Sequence, residues 1–315
     1  MSQFSLLKRR RFAPFFVAQF LGAFNDNLMK NVLVVLVTFG VSTQSNLSTT
    51  TLVNLAAGLF ILPFFLFSAT AGQIADKFEK SGLIRKIKTA EILIMLIASV
   101  GFFASSPEFL LLVLFLMGTQ SAFFGPVKYS ILPQQLDESE LIGGNALVET
   151  GTFLAILLGT LLGPIVQQQG NMIISICLVG VATLGWLASR AIPIAPAVAR
   201  DLKINWNCFT ETWRIIDSTR DIRTVFLSIM GISWFWFYGA TFVTQMPTYA
   251  RDVLGGDQAV FAVLVATFSV GIGIGSLLCE RLSGERIEIG LVPFGAFGMT
   301  VFAFDLGWVA PTGID

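Results

Sequence analysis

The stretch Phe20-Leu-Gly-Ala-Phe-Asn25-Asp26-Asn27-Leu-Met-Lys30-Asn31 decides the fold, because it interrupts an otherwise apolar run from Phe12 to Gly40. The flanking residues predict a membrane span, and the interruption puts one acid, one base and three amides inside it. Charged groups at bilayer depth cost about 2.5–3.5 kcal/mol each, so they are rare and usually functional. At about 100° per residue, Gln19 falls about 20° from Asp26, while Gly22 and Lys30 fall about 40° to either side. These four residues share one stripe. In one reading Asp26 and Lys30, at i and i+4, neutralise each other and hold neighbouring helices together. In the other, which the rarity of intramembrane charge favours, the stripe is the polar wall of an internal solvated cavity.

Composition supports a membrane chain. Hydrophobic residues make up 54% and charged residues 13% of 315, against about 25% charged in soluble proteins. Mean hydropathy is +0.76. Thirty Phe and twenty-nine Gly suit lipid-facing rings and close helix contacts. The formal charge is zero, and no nucleic-acid partner is expected. Cys177, Cys208 and Cys279 are odd in number and lack metal-ligand spacing, so neither a disulfide framework, a metal site nor a cofactor is expected. Histidine is absent, which removes the commonest general base and metal ligand. Lys8 to Arg11 resemble the basic start of a signal peptide, but the apolar run after them is about twice too long, and it reads as a retained first span.

Nine spans are predicted, at about 12–40, 51–75, 88–105, 107–131, 143–167, 170–191, 224–249, 258–281 and 289–309, each near the roughly 17–25 residues needed to cross. They are too long and too uniformly apolar for barrel strands. Eighteen of the twenty Lys and Arg fall at the N-terminus or in the even-numbered connections, including Lys77, Lys80, Arg85, Lys86 and Lys88 after the second span. Lys30 is intramembrane, Arg251 alone lies opposite, and the connections around Ser45, Ser106 and Gln168 have none. The positive-inside rule therefore places the N-terminus in the cytoplasm.

Ile192 to Arg223 is the one long connection. Trp206, Phe209, Trp213 and Ile216 recur in it at spacings of three and four, with Arg214 and Arg220 nearby. That pattern predicts an amphipathic helix suited to the cytoplasmic interface; the alternative is a soluble linker with chance aromatics. The chain then divides into six spans (1–191), a cytoplasmic linker (192–223) and three spans (224–315). Gly72-Gln-Ile-Ala-Asp76-Lys77 after the second span is weakly repeated by Gly275-Ser-Leu-Leu-Cys279-Glu-Arg after the eighth. Two six-helix halves in parallel repeat are the arrangement of major facilitator transporters, so three further spans are expected beyond Asp315.

Three motifs carry this resemblance further. Gly72 to Lys86, GQIADKFEKSGLIRK, resembles the major facilitator signature between spans two and three. The resemblance implies that Gly72 permits close helix approach, and that Asp76, Lys77 and Lys86 form charge contacts remade as the halves rock; the plain alternative is a solvated basic loop. Span five carries Asn145, Glu149, Thr152, Ile156, Thr160 and Gly163 on one arc, and Gly159-xxx-Gly163-Pro164 resembles the family's glycine motif for tight packing. Span four ends in Phe123-Phe-Gly-Pro126-Val-Lys128-Tyr129-Ser-Ile-Leu-Pro133, where Pro126 frees a carbonyl. For Lys128 and Glu149 the plain alternative is a side chain snorkelling to the interface.

Taken in order, FLGAFNDN, GQIAD, GPVKYSILP and GNALVETGTFLAILLG resemble the bacterial lysophospholipid transporter family across the first six spans. The resemblance implies an all-α membrane protein of the major facilitator fold with its second bundle incomplete. It further implies import of lysophospholipid, lysophosphatidylethanolamine especially, across the inner membrane for re-acylation, with membrane lipids as surroundings. The family's acid–asparagine pair maps onto Asp26 and Asn27, and its lysine–tyrosine pair onto Lys128 and Tyr129. Gln19, Asp26, Asn27, Lys30, Lys128 and Glu149 are the expected substrate residues. The form NDNLMKN looks most like members fused to acyltransferase and acyl-carrier-protein synthetase domains, the implied partners. Two features depart from the family: Lys30 stands where stand-alone members tend to have an apolar residue, and Ile232 to Gln245 lacks the basic residue of span seven. An exporter of another amphiphile or drug, and a non-transporting anchor, remain as alternatives. An acyltransferase needing a His–Asp pair is excluded for these residues, since no histidine exists.

Overall fold

The computed structural model describes residues 3–39, 47–256, 258–284 and 288–309, so the turn around Ser45 and Arg286 lie outside the described residues. All regular structure among them is helical. The long helices are α1 (Ala13–Phe39), α2 (Thr49–Lys77), α3 (Lys80–Phe103), α4 (Pro107–Ser130), α6 (Leu141–Gln167), α7 (Asn171–Ser189), α9 (Arg223–Thr248), α10 (Gln258–Leu282) and α11 (Leu291–Val309). Between them lie the single turn α5 (Leu132–Gln135) and the short helix α8 (Cys208–Arg220). Among the described residues, eight helices are long and apolar enough to cross a membrane. The ninth expected span is α3, which starts at Lys80 rather than near residue 88. Its first half carries Lys80, Arg85, Lys86, Lys88 and Glu91, so it falls short on composition although its 24 residues suffice in length.

Local chemistry sets the boundaries. Ser48 caps α2 by accepting from the Thr51 N–H (3.2 Å), and Ser106 caps α4 from Phe109 (3.4 Å) with Pro107 in the first turn, satisfying donors that a helix start leaves open. Glu79 caps α3, its carboxylate accepting from the N–H groups of Ser81 (2.8 Å) and Gly82 (2.7 Å). Gly170, at φ 87°, turns the chain into α7.

Helix α1 packs against α6 and α7, α2 against α4, α3 against α7 and α4, and α10 against α6. Small residues let these axes approach. A Cβ on Gly159 of α6 would stand 2.7 Å from the Phe24 carbonyl of α1, and one on Gly163 would stand 2.6 Å from Cβ of Asn31. Both are closer than packed atoms tolerate, which is how a small-xxx-small pair seats one helix on another.

The buried apolar side chains form two clusters. One joins Leu28, Met29, Val32 and Leu33 of α1 to Met95, Ala98 and Phe102 of α3, Leu110, Leu114 and Met117 of α4, and Ile174 and Leu178 of α7. The other joins Phe12, Phe15 and Ala18 to Ala75, Ile84, Ile87, Val127, Ile131, Leu147 and Val148, and takes in Ile192 and Ala195 beyond α7. On each of α1, α3 and α4 buried polar side chains lie between the two clusters: Gln19, Asn25, Asp26 and Asn27 on α1, Lys88 and Glu91 on α3, and Gln120 on α4.

Candidate functional site

That intervening layer is the candidate site. Asn25, Asp26 and Asn27 are consecutive, so at about 100° per residue they radiate toward different neighbours. Asn25 Nδ2 donates to Glu91 Oε1 of α3 (3.2 Å). Asp26 Oδ2 accepts from the Ser121 hydroxyl of α4 (2.5 Å). Asn27 lies beside Gly159 of α6, and its Oδ1 accepts from Lys30 Nζ (3.1 Å). One triplet thereby touches three helices.

Asp26 and Lys30 do not form the ion pair that one reading of the stripe expects; no salt bridge joins them among the described residues. The Lys30 ammonium instead sits 5.6 Å over the Phe60 ring of α2, and Asp26 keeps Oδ1 without a hydrogen-bond partner. An oxygen left so inside a membrane helix is costly. Asn31 donates to Thr160 of α6 (3.3 Å), linking the same two helices one turn further along.

A second polar group lies nearer the Phe12 end. Lys128 Nζ of α4 donates to the Thr152 hydroxyl of α6 (2.8 Å), which donates to Gln19 Oε1 of α1 (3.1 Å). The Tyr129 hydroxyl donates to Glu149, and Lys128 stands 5.1 Å over the Tyr129 ring. Gln19, Lys128 and Glu149 are thus joined across three helices, while Asp26, Asn27 and Lys30 form the neighbouring group about two to three turns along α1.

Sequence reasoning missed two deeply buried charges. Lys88, assigned to a cytoplasmic connection, is inside the protein: it pairs with Glu91 at 2.7 Å, both side chains 1% exposed. Its ammonium faces the Phe124 ring at 5.2 Å and occupies the space where a Cβ on Gly22 would stand. Gly22 belongs to the stripe because it admits this lysine, a reason visible only once α3 is placed beside α1. The available signal was the i,i+3 spacing of Lys88 and Glu91, which lets opposite charges neutralise each other within a span.

The loop signature is arranged differently from its expectation. No atom lies within 4 Å of the place a Gly72 Cβ would occupy, so close helix approach is not its role in this arrangement. Asp76 and Lys86 are exposed and Lys77 is half-buried; no ion pair involves them among the described residues. Glu79, not singled out in the sequence, makes the contacts instead: besides capping α3, it accepts from the Ser81 hydroxyl (2.6 Å) and the Ala195 N–H (3.0 Å), and lies 3.6 Å from Arg85. Partial burial alone would raise its carboxyl, but those hydrogen bonds outweigh it and hold Glu79 below the usual glutamate range.

Residues 15–314 match the Major Facilitator Superfamily. The chain belongs to it. It is accordingly a multi-pass membrane transporter, not an enzyme. Among its relatives is the "Lysophospholipid transporter LplT" of Escherichia coli strain SE11, 28% identical over 296 residues that cover 92% of this chain and 71% of that protein. Proteins of the same name from Escherichia coli O7:K1 strain IAI39 and O6:H1 strain CFT073 match to the same extent. Gly159 and Gly163 lie at the α1–α6 contact, with Pro164 directly after them within α6.

Proposed function

We propose that this transporter moves lysophospholipid, of the lysophosphatidylethanolamine kind, across a bacterial inner membrane toward the cytoplasmic leaflet for re-acylation. The observation that carries the reading is the polar layer between two apolar clusters, which presents both signs of charge within a short span of α1. A zwitterionic headgroup needs a carboxylate for its ammonium and a cation for its phosphate. Asp26 supplies the first, having an unpartnered oxygen; Lys30 and Lys128 supply the second, neither held by a carboxylate salt bridge among the described residues. Gln19, Asn27 and Glu149 position these groups. Acyl chains stay against lipid-facing surface, where no polar partner is required.

In this reading residues 1–191 form the first bundle, 192–223 a cytoplasmic linker, and 224–315 the first three helices of a second bundle, with the N-terminus cytoplasmic by its basic residues. Gly72, Asp76, Lys77 and Lys86 belong to the surface that re-forms contacts as two bundles rock about a midplane site. Acyltransferase and acyl-carrier-protein synthetase, fused or separate, consume the product.

Uptake of labelled lysophosphatidylethanolamine by spheroplasts expressing the complete protein tests this. Transport above that of control cells, reduced about tenfold or more by Asp26→Asn at unchanged membrane content, is the expected result; a tenfold change corresponds to about 1.4 kcal/mol. Uptake equal to control overturns the substrate. One feature favours a second reading, another small amphiphile: the unusual Lys30 together with the absence of a basic residue in Ile232–Gln245. Competition by unlabelled amphiphiles without a glycerophosphate group separates the two.

A further inference from the structure

The segment after α7 is bonded to the membrane helices along one edge and carries its aromatic side chains on the other. The Lys80 N–H donates to the Ala195 carbonyl (2.9 Å), and those of Val198 and Ala199 both donate to the Asp76 carbonyl (3.0 and 2.9 Å). Gln134 and Gln135 donate to the carbonyls of Pro196 (3.2 Å) and Pro193 (3.4 Å). Gln73 of α2 exchanges two hydrogen bonds with the backbone of Asn205, at 2.7 and 3.1 Å. Asn205 in turn donates to Glu211 of α8 (3.3 Å), which also accepts from Arg214 (2.5 Å). An unbroken strap therefore runs from the ends of α2 and α4 to the inner side of α8.

Helix α8 is inverted relative to a helix that faces water. Its acid Glu211 is turned toward the protein at 1% exposure, while Trp206, Phe209 and Trp213 are 73%, 66% and 64% exposed. At about 100° per residue, Phe209, Trp213, Ile216 and Arg220 lie within about 60° of one another and roughly opposite Glu211. A water-facing helix puts the acid outside and the rings inside; the reverse order fits an apolar medium on the outer side. The location agrees, since α8 packs on α2 and α9, next to where α2 ends at Lys77 and α9 begins at Arg223. The Arg220 guanidinium stacks over Trp213 at 5.7 Å. Arg200, Lys203, Arg214 and Arg223 are exposed around it, against exposed Asp201, Asp217 and Asp221, an excess of positive charge that complements anionic headgroups.

We propose that α8 is a bilayer-surface helix: Phe209, Trp213 and Ile216 enter the headgroup–acyl boundary, the arginines meet anionic lipid phosphates, and the strap through Asn205 and Gln73 ties this contact to the turn between α2 and α3. The assignment is independent of what the protein transports.

The test uses the full chain in nanodiscs of phosphatidylcholine with and without phosphatidylglycerol, carrying single spin labels along α8. Labels at Phe209, Trp213 and Ile216 are expected to be accessible to oxygen and shielded from an aqueous relaxation agent, with Thr210 and Asp217 the reverse. Phosphatidylglycerol is expected to deepen the first three. Aqueous accessibility at all five positions, or immobilisation of the outer face by a second protein copy, overturns the lipid contact; equal depth in both lipids overturns the headgroup preference. The link to the turn is read by amide exchange. In F209S/W213S, exchange across 195–205 rises several-fold while α1 and α6 are unchanged, the latter showing that the fold is intact. Unchanged exchange in the strap overturns the link.

Discussion

The helices before the linker and those after it are similarly apolar but pack differently. Of the most hydrophobic windows, 44% of α1, 17% of α2, 50% of both α4 and α6 and 33% of α7 are buried, against none of α9 or α11 and 11% of α10. Hydrophobicity does not explain this, because a lipid tail is as good a neighbour for Leu or Phe as another helix is. What distinguishes the buried side is that its small residues meet partner helices and its polar side chains bond across them, whereas Gly231, Gly271 and Gly298 face open space. Helices α1, α3, α4 and α6 meet through Gly22, Gly159 and Gly163 and through side-chain bonds such as Asn25–Glu91 and Asp26–Ser121. Helix α9 presents Trp234, Phe235, Trp236 and Phe237 in succession, and α11 presents Phe294, Phe297, Phe302 and Phe304, all exposed. Where the later region does touch the earlier one, it follows the same rule: Thr150 of α6 donates to the Gly273 carbonyl of α10 (3.2 Å).

The sharpest way to break this comparison is through the buried charges. Lys88→Met leaves Glu91 uncompensated at 1% exposure, and the expected loss is about 3–5 kcal/mol of stability, since breaking a buried pair leaves a bare charge. Lys88→Met with Glu91→Leu is expected to regain most of it, because an apolar pair of similar volume is often as stable. Thermal unfolding in detergent measures both. A double variant that is stable but transports poorly would assign the pair a role in transport; one as unstable as the single variant would refute the pairing.

Glycines give the next largest contrast. Gly159→Leu drives a side chain into the Phe24 backbone, and overpacking of this kind costs about 1–3 kcal/mol. Gly275 of α10 has nothing within 4 Å of its Cβ position, so Gly275→Leu is expected to change stability by less than about 0.5 kcal/mol. Equal losses at both positions would mean that the two regions are packed alike, contrary to the burial difference.

What was legible in the sequence follows from the range of each signal. Apart from the start of α3, every predicted span end lies within about two residues of the helix found. Hydropathy and capping residues are local, so they locate ends well. The start of α3 was placed late because Lys80, Arg85, Lys86 and Lys88 read as a basic connection, whereas Lys88 is neutralised within the helix by Glu91. That Gln19, Gly22, Asp26 and Lys30 share a stripe is readable from helical spacing, but their neighbours are not: that Ser121 meets Asp26, Lys88 meets Gly22 and Phe60 meets Lys30 depends on how α4, α3 and α2 are arranged around α1. Glu79 was overlooked for the same reason, since the Ala195 N–H that it holds lies 116 residues away.

The smallest predicted effect tests that last contact by pH. Glu79 is held below the usual glutamate range by hydrogen bonds from Ser81, Ala195 and Gly82, despite the opposing effect of its partial burial. A carboxyl whose folded value is depressed stabilises the fold at every pH above its unfolded value, about 4.3, and loses that contribution as pH falls through the lower folded value. The side chain is 34% exposed, and solvent screening limits the effect to about 1 kcal/mol or less. Amide exchange at Ala195, Ser81 and Gly82 is therefore expected to show undiminished protection, after correction for the intrinsic pH dependence of exchange, from neutral pH down to about 4.3 and to weaken only below it. In Glu79→Gln the same amides are expected to be less protected already at pH 7, and without that acid transition, because a neutral amide is a weaker acceptor. Protection that fades between about pH 6 and pH 5 in the unaltered protein would place the titration on the wrong side of the ordinary glutamate value, and the hydrogen-bonded account of the α2–α3 turn would fail with it.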